Sequence, residues 1–279
     1  QMSKKEGGMK RQYIPARLDD NPSLLEADPD YIDRLEGLGN PALVRAMKDG
    51  DWDIVAGGAF DDLWRRDVHV VPSFAIPSSW TIDRSFDWGS SKPFSVGWWA
   101  ESDGTECEVH GSKRYFPRGT VFRIAEYYGW NGTPNEGLKM LAKDVALKIK
   151  EIESEHPLLL GRTVEPGPAD SAIYATENGK SIADDMEAEA VYWLEADKRP
   201  GSRKSGFEQV RKVLKASRDN PLEEPGLYVF DSCMNFIRTI PVLPRDQRDP
   251  DDIDTESEDH IYDETRYRLM TPRRIVKAD

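Results

Sequence analysis

The 279-residue chain is short of the features that place a protein quickly. It has two cysteines, Cys107 and Cys233. That is too few for a disulfide framework or a CxxC metal site and fits a reducing compartment, where the Asn131-Gly132-Thr133 sequon carries little meaning. No stretch approaches the run of about 20 apolar residues that a membrane helix needs, and the polar start from Gln1 to Arg11 lacks a signal peptide's apolar segment. The chain is therefore expected to be soluble. Gln1 stands where an initiator methionine is absent, so the start reads as that of a fragment. Histidine is scarce as well: His69, His110 and His156 lie in polar or Pro-flanked contexts without metal-ligand spacing and read as surface or loop residues. Positive charge is also in deficit. With 38 basic against 51 acidic side chains the formal charge is −13, which argues against a broad, nonspecific nucleic-acid coat protein.

Aromatic residues, by contrast, are plentiful. Eight Trp, ten Tyr and nine Phe, within 38% hydrophobic residues, exclude a disordered chain, and the length suits one large domain or one domain plus an appendage. Trp98 and Trp99 read as core and rim residues before they read as a base-stacking platform. The acidity is concentrated: from Arg245 to Glu264 ten acids stand against Arg245 and Arg248, so eight of the thirteen net negative charges fall in that segment.

Residues 13 to 77 alternate apolar residues with Asn21-Pro22, Asp28-Pro29, Asn40-Pro41 and Gly57-Gly58, which predicts short helices joined by turns. Tyr31, Leu35 and Leu38 keep helical spacing, as do Leu43, Met47 and Trp52 more loosely. After Trp80 the pattern becomes that of strands. Ile82, Arg84 and Phe86 alternate with Thr81, Asp83, Ser85 and Asp87; Phe94, Val96, Trp98 and Ala100 share one face of a second run; Thr120 to Tyr128 form a third. Together they predict an antiparallel meander with a polar insertion at Cys107 to Arg118. Leu138, Leu141, Val145, Ile149 and Ile152 predict an amphipathic helix over 135–155. Then come an interrupted strand at 158–175, helices at 181–194 and 207–217, an apolar strand Leu227 to Phe230, and a final helix from about Asp259 to Leu269. Strands first, then alternating helix and strand, predict a mixed α/β sheet.

Four places could carry chemistry. Asp87 closes a strand at Phe86-Asp87-Trp88-Gly89, where a rigid carboxylate can hold a divalent cation or simply cap a turn. Asp170, in Gly167-Pro168-Ala169-Asp170, reads alone as an Asx or N-cap residue and gains meaning only if it meets Asp87 in space. In Asp259-His260-Ile-Tyr-Asp263, helical spacing puts His260 and Asp263 at i and i+3 and Asp259 and Asp263 at i and i+4. Two carboxylates and an imidazole on one face are costly unless a cation compensates. The plainer reading, acids favoured at a helix N-terminus, accounts for Glu258 and Asp259 better than for Asp263. A calcium loop from Asp252 fits poorly, because Ser257 stands for the required Gly and Asp263 for the closing Glu. The fourth, Asn178-Gly179-Lys180-Ser181 followed by Asp231, imitates a phosphate loop and its strand. Tyr174 stands where the first loop glycine belongs, so Ser181 as N-cap is the simpler reading.

Several of these motifs together resemble the C-terminal nuclease part of phage large terminase subunits, which has the ribonuclease H-like fold. The resemblance rests on Tyr13-Ile-Pro-Ala-Arg-Leu with Asp20-Asn21-Pro22, Gly50-Asp51-Trp52, Arg84-Ser-Phe-Asp87-Trp-Gly89, Cys233 with the Pro241-to-Pro244 stretch, and Asp251-Asp-Ile-Asp254-Thr through Asp259-His260-Ile-Tyr-Asp263-Glu-Thr-Arg266-Tyr267. It spans nearly the whole chain and is most specific at its end. The resemblance implies a 1–77 arm that would join to an absent ATPase domain and a 78–279 ribonuclease H-like nuclease domain, a mixed sheet with flanking helices. It implies a divalent-metal-dependent endonuclease that cuts concatemeric viral DNA during packaging, with two Mg2+ or Mn2+ ions. Catalytic roles fall by position on Asp87, Asp170, Asp263 and His260, with Asp259 as an auxiliary ligand; Asp170 is placed by order and not by a distinctive motif. Arg84, Lys92, Arg203, Lys204, Arg211 and Lys212 are the candidates for holding phosphate. Double-stranded DNA, a small terminase subunit and a portal protein are the implied partners, without a membrane, and the host cytoplasm is the implied location. A resolvase- or transposase-type enzyme of the same fold, or a noncatalytic module that binds packaging partners through its acidic segment, are the rival readings.

Overall fold

The computed structural model describes residues 18–20, 22–28, 31–32, 57–176 and 179–271, in two compact units, Gln1–Gly57 and Gly58–Asp279. In the first, a turn of 3-10 helix at Leu18–Asp20 precedes helix α1 (Pro22–Ala27), whose proline occupies an initial position where its missing N–H costs nothing. Leu35, Leu38, Leu43, Met47 and Trp52 lie outside the described residues.

The second unit is built on a sheet of eight strands. After the short helix α2 (Arg66–His69) come β1 (Val70–Val71), β2 (Thr81–Asp87), β3 (Ser95–Glu101) and β6 (Val121–Tyr128), then β7 (Val164–Glu165), β8 (Pro168–Ala169), β9 (Leu194–Glu195) and β10 (Leu227–Phe230). The order across the sheet is β1-β10-β6-β3-β2-β8-β9, with β7 also on β2. The expected meander is present, since β2, β3 and β6 pair antiparallel. The strands outside it run parallel to their neighbours, which makes the sheet mixed. The polar insertion folds as a separate hairpin, β4 (Cys107–Val109) and β5 (Ser112–Arg114). Helices α3 (Ala142–Glu155), α4 (Ile182–Glu187), α5 (Ser202–Asp219), α6 (Met234–Thr239) and α7 (His260–Met270) complete the unit.

Three elements differ from the sequence-based expectation. Helix α3 begins at Ala142, not near residue 135. Asn135 and Lys139 have φ of 61° and 57°, a left-handed conformation that stops a helix and that Asn tolerates well. The segment instead hydrogen-bonds to the loop after β2, through Gly137 N–H to Ser91 O at 2.8 Å, and to the residue after β6, through Leu138 N–H to Gly129 O at 2.9 Å, and leaves Leu138 and Leu141 42% and 70% exposed. Helix α4 has six residues, less than half the expected length. Ser181 caps it in a reciprocal capping box with Asp184, and Ala190, at φ 62°, ends it so that the chain can enter β9. The stretch 158–175 supplies only the two-residue strands β7 and β8 and a 3-10 turn, Ser171–Tyr174.

The alternation in β2 suggests one apolar and one polar face, yet five of its seven residues are buried. Both faces are covered. Arg84 and, from β3, Trp98 reach Glu153 on α3, at 3.0 and 2.9 Å. The opposite face meets α7: Asp83 accepts from Arg268 Nε at 2.6 Å, Ser85 Oγ donates to Glu264 Oε1, and Asp87 Oδ2 lies 3.3 Å from His260 Nδ1. Two residues along a strand advance about 6.8 Å and four along a helix about 6 Å, so residues 87, 85 and 83 fall opposite 260, 264 and 268. Glu264, fully buried, also accepts from Trp99 Nε1 at 3.0 Å and Ser95 Oγ at 3.2 Å and pairs with the equally buried Arg123 of β6. Gly97 makes room for that pair, because a Cβ there would lie 2.3 Å from Arg123 Nη1 and 2.4 Å from Glu264 Oε1.

His69 is a buried core residue, not the surface residue expected. Its Nε2–H donates to Leu214 O at 2.9 Å, so Nδ1 is left as the acceptor for Arg65 N–H at 2.9 Å, and the ring stacks on Trp64. Burial holds its pKa below the usual value, with Arg218 adding to the depression against the carbonyls of Leu214 and Arg65 and the charge of Asp67, which favour the protonated ring.

Two stability measurements follow. Arg123→Met alone strands a buried carboxylate and should cost about 3–5 kcal/mol in urea unfolding, whereas Arg123→Met combined with Glu264→Gln should cost less than Arg123→Met; equal or greater loss in the double variant would refute the account. For His69, the unfolded chain binds the proton more readily than the folded one. Stability from this residue is therefore intact above about pH 6.5 and declines as pH falls below it, and His69→Gln should flatten that part of the stability profile.

Candidate active site

Asp87, Asp170, Asp259, His260 and Asp263 arrive at one end of the sheet from three directions. Asp87 is the last residue of β2 and is 5% exposed. Pairing of Phe86 with Ala169 brings β8 alongside, and Asp170 N–H donates to Phe86 O at 2.9 Å, so the two aspartates sit at adjacent strand ends. Asp170 also does what its local sequence suggests, accepting from Ala172 N–H at 2.8 Å as cap of the 3-10 turn. The third direction is α7, with Asp259 preceding it, His260 at its first position and Asp263 one turn on.

Asp259 occupies the N-cap position but makes no side-chain cap hydrogen bond, so capping does not account for it. Glu258, its neighbour, is structural: it accepts from both terminal nitrogens of Arg238 at 2.8 Å and from Tyr128 OH at 2.9 Å. The calcium-loop alternative is not realised either, since Asp252 is bound by Arg203 at 2.7 and 3.2 Å and Asp254 Oδ1 accepts from Glu256 N–H.

The charge balance of the site is unusual. Burial and then the nearby charges of Asp263 and Asp170 raise the Asp87 carboxyl well above the usual carboxylate range, against the pull of Lys198. Asp259 is pushed up to about 7, by burial and by Asp263 and Asp87, with His260 and Arg203 opposing. His260 is held below its usual value by burial, although Asp259, Asp263 and Glu258 all favour its charged form. Its Nε2–H donates to Asn135 Oδ1 at 3.0 Å, so Nδ1 presents its lone pair to Asp87 Oδ2, an arrangement suited to an Asp87 that carries a proton. Each remaining acid is met by a cation of the protein: Asp170 by Lys198, Asp263 Oδ1 by Arg266 at 2.9 and 3.1 Å, and Asp263 Oδ2 by Arg203 Nη1 at 3.7 Å.

Among the described residues, no three His, Cys, Asp or Glu side chains are drawn together tightly enough to form a ready-made metal cluster. The donor chemistry nevertheless fits a hard cation. Asp87 is a buried carboxylate under two like charges with a neutral imidazole as its partner, and Asp170 and Asp263 beside it are each paired with a cation of the protein.

Of the candidate phosphate contacts, Lys92 is exposed on the loop after β2, where its charge reaches His260, and Arg203 stands beside Asp263. Lys204 is bound to Asp249 at 2.8 Å. Arg211 is bound to Asp62 and to Ala59 O, and Lys212 is exposed beside it, eight to nine residues, or about 12–14 Å, along α5 from Arg203. Arg84 needs correction: it is 4% exposed, lies on the α3 side of the sheet bonded to Glu153 and Tyr192 O, and stacks on Trp193, so it offers no guanidinium to a surface phosphate.

Sequence reasoning passed over Lys198, Asn135, Arg266 and Glu264. Arg266 was legible at i+3 from Asp263. Glu264 was counted with the acidic segment although it belongs to the core. Lys198 and Asn135 lie on irregular backbone with no motif to mark them.

No family model matches the sequence, and no curated protein matches it. Solved structures do. The nuclease domain of the P22 large terminase superposes with a TM-score of 0.51 at 14% identity, over 76% of this chain and 90% of that one. The chain has the fold of a large-terminase nuclease domain. The large terminase of thermophilic bacteriophage D6E superposes with TM-scores of 0.55 in its complexes with ADP and with ATP-gamma-S, at 17% and 16% identity, over 94% and 91% of this chain. This chain spans 55% and 54% of those longer proteins. At such identities the likeness is one of fold, the ribonuclease H-like mixed sheet with flanking helices. Among the described residues no helix is long and apolar enough to cross a membrane.

Arg203 links α5 to both Asp252 and Asp263, which yields a test of this electrostatic frame. Arg203→Ala should loosen the 245–259 segment, which Lys204 still holds through Asp249, and increase its cleavage rate by a limiting protease several-fold, with little change elsewhere; an unchanged digestion pattern would refute the tie.

Proposed function

We propose that this chain is the nuclease part of a viral DNA-packaging terminase, a divalent-metal-dependent endonuclease that hydrolyses phosphodiester bonds of concatemeric double-stranded DNA. The observation that carries the proposal is the meeting of Asp87, Asp170 and Asp263, from β2, β8 and α7, at one end of a sheet with the terminase nuclease fold. Asp87 and Asp263, with Asp170 and Asp259 beside them, would hold Mg2+ or Mn2+. Such ions supply positive charge for the attacking and leaving oxygens of an in-line displacement.

The chain's own side chains have distinct tasks. His260 is kept neutral by burial and fixed between Asn135 and Asp87, so it is able to take up a proton at Nδ1. Lys92 and Arg203 flank the carboxylates and would hold backbone phosphates. Contacts of that kind read charge and spacing and not base edges, so cleavage should show little sequence preference. A small terminase subunit, a portal protein and an N-terminal arm leading to an ATPase domain belong to the same proposal. The acidic segment is spent largely on intramolecular partners, Lys204, Arg203, Arg238 and Arg266, which speaks against a free acidic docking module.

Plasmid nicking in Mn2+ tests the proposal. Wild type should nick supercoiled DNA, and Asp87→Ala and Asp263→Ala should each lower the rate by at least about 100-fold with folding intact. Wild-type protein that cuts under no divalent ion would refute it, and strong preference for a four-way junction over linear duplex would favour the resolvase-type alternative.

A further inference from the structure

The cations nearest the carboxylates are each bound to an acid of the protein. Lys198 pairs with Asp170, Arg203 with Asp252, Lys204 with Asp249 and Arg266 with Asp263. Two exposed lysines at the same end of the sheet differ: among the described residues, neither Lys92 nor Lys139 has a carboxylate within ion-pair distance.

The fold joins these two lysines. Lys92 lies on the loop between β2 and β3, and Lys139 on the segment between β6 and α3. Gly137 N–H donates to Ser91 O at 2.8 Å and Lys139 N–H to Ser90 O at 3.2 Å. The approach is close enough to require glycine, since a Cβ on Gly137 would lie 2.2 Å from Lys92 O and 2.3 Å from Ser90 O. Lys139 is held at φ 57°, in the left-handed region that a lysine occupies only when its surroundings impose it. The start of the segment is tied to the site itself, because Asn135 accepts from His260 at 3.0 Å and donates to Glu256 O at 3.3 Å. Glu136, the acid within the segment, accepts from Asn131 Nδ2 at 3.0 Å. The two loops thus form one braced rim beside Asp87 and His260, with Ser90 and Ser91 exposed on it. Because the backbone of the rim is already fixed, a polyanion that binds there orders only the lysine side chains.

We propose that Lys92 and Lys139 form a two-point grip on the sugar-phosphate backbone of duplex DNA, with the rim as its rigid mount. The inference rests on the nuclease reading above and adds to it a second loop, with Lys139 as a phosphate contact. Lysine meets phosphate as a point charge, so the grip takes either strand without regard to sequence and registers as release of counterions.

Duplex binding by the purified chain, followed by fluorescence anisotropy across a salt series with Ca2+ in place of Mn2+, tests the grip. Lys92→Gln and Lys139→Gln should each lower the slope of log K against log salt by about 0.9 and weaken binding about 5–10-fold near 0.1 M salt, with the circular dichroism spectrum preserved. The double variant should lose both increments. Lys113→Gln removes the same charge from β5, in the hairpin that follows the opposite end of β3, and should leave the slope unchanged. Wild type that binds no duplex, Lys139→Gln with the wild-type slope, or Lys113→Gln with an equal loss overturns the grip. Plasmid nicking in Mn2+ on the same samples keeps the two readings apart. Wild type that nicks DNA while Lys139→Gln keeps the full slope refutes the grip and leaves the nuclease intact. A slope reduced in Lys139→Gln, in a chain that nicks under no divalent ion, upholds the grip and refutes the nuclease.

Discussion

The ladder between β2 and α7 is the constraint on which the rest of the structure depends. Three rungs, Asp83 with Arg268, Ser85 with Glu264 and Asp87 with His260, match the two-residue repeat of a strand to the four-residue repeat of a helix. A shift of α7 by one residue would turn all three rungs aside together, because each step rotates the helix by about 100°. The middle rung is the anchor, since Glu264 is buried among Ser85, Ser95, Trp99 and Arg123 and cannot leave without stranding a guanidinium in the core. Asp263 adjoins that anchor in sequence and Asp87 lies one rung above it. The placement of two site carboxylates is therefore inherited from a structural ion pair.

A second close approach fixes α7 from the other side. Gly206 of α5 faces Arg266, and a Cβ there would lie 2.3 Å from Arg266 Cγ. The glycine lets the arginine stem lie flat between the helices, from where its guanidinium reaches back to Asp263 and stacks on Tyr267. Arg123 is the counterpart at the sheet: its guanidinium lies between the rings of Trp99 and Phe236, while Glu126 accepts from the first N–H groups of α6. Helices α5, α6 and α7 are thus each positioned by a charge in the interior, an arrangement that a single unpaired substitution would disturb strongly.

The order of the elements and the meander were legible because Val96, Trp98 and Ala100, or Val145 and Ile149, follow clean periods of two or of about 3.6. The failures have specific physical origins. Periodicity carried α3 back to residue 135 because Leu138 and Leu141 happen to fit the phase, whereas the left-handed Asn135 and Lys139 override it. His69 looked like a loop residue because nothing local reveals that Leu214, 145 residues away, accepts its proton. In the candidate site, the strand-end place of Asp87 and the helical place of Asp263 were legible from local pattern. Glu264 was misread because a charge inside an acidic run is indistinguishable by composition from its solvated neighbours. Lys198 and Asn135 act from irregular backbone, where sequence spacing has no geometric meaning.

The net charge of −13 takes on a different sense once the partners are known. Between Arg245 and Glu264, Asp249, Asp252, Glu258, Asp263 and Glu264 are all paired with basic side chains from α5, α6, α7 or the sheet. Much of the acidic segment is therefore neutralised by the fold. What stays unbalanced is local, at Asp87 and Asp259, where burial and like charges push the carboxyls upward and, among the described residues, no guanidinium comes within hydrogen-bond reach. A folded protein tolerates such a concentration only if some other positive charge can be admitted there, or if protons remain bound. The exposed deficit of positive charge that argues against a DNA coat is thus compatible with a site that gathers its positive charge at one point, from Lys198, Arg203 and an admitted cation, instead of spreading it over the surface.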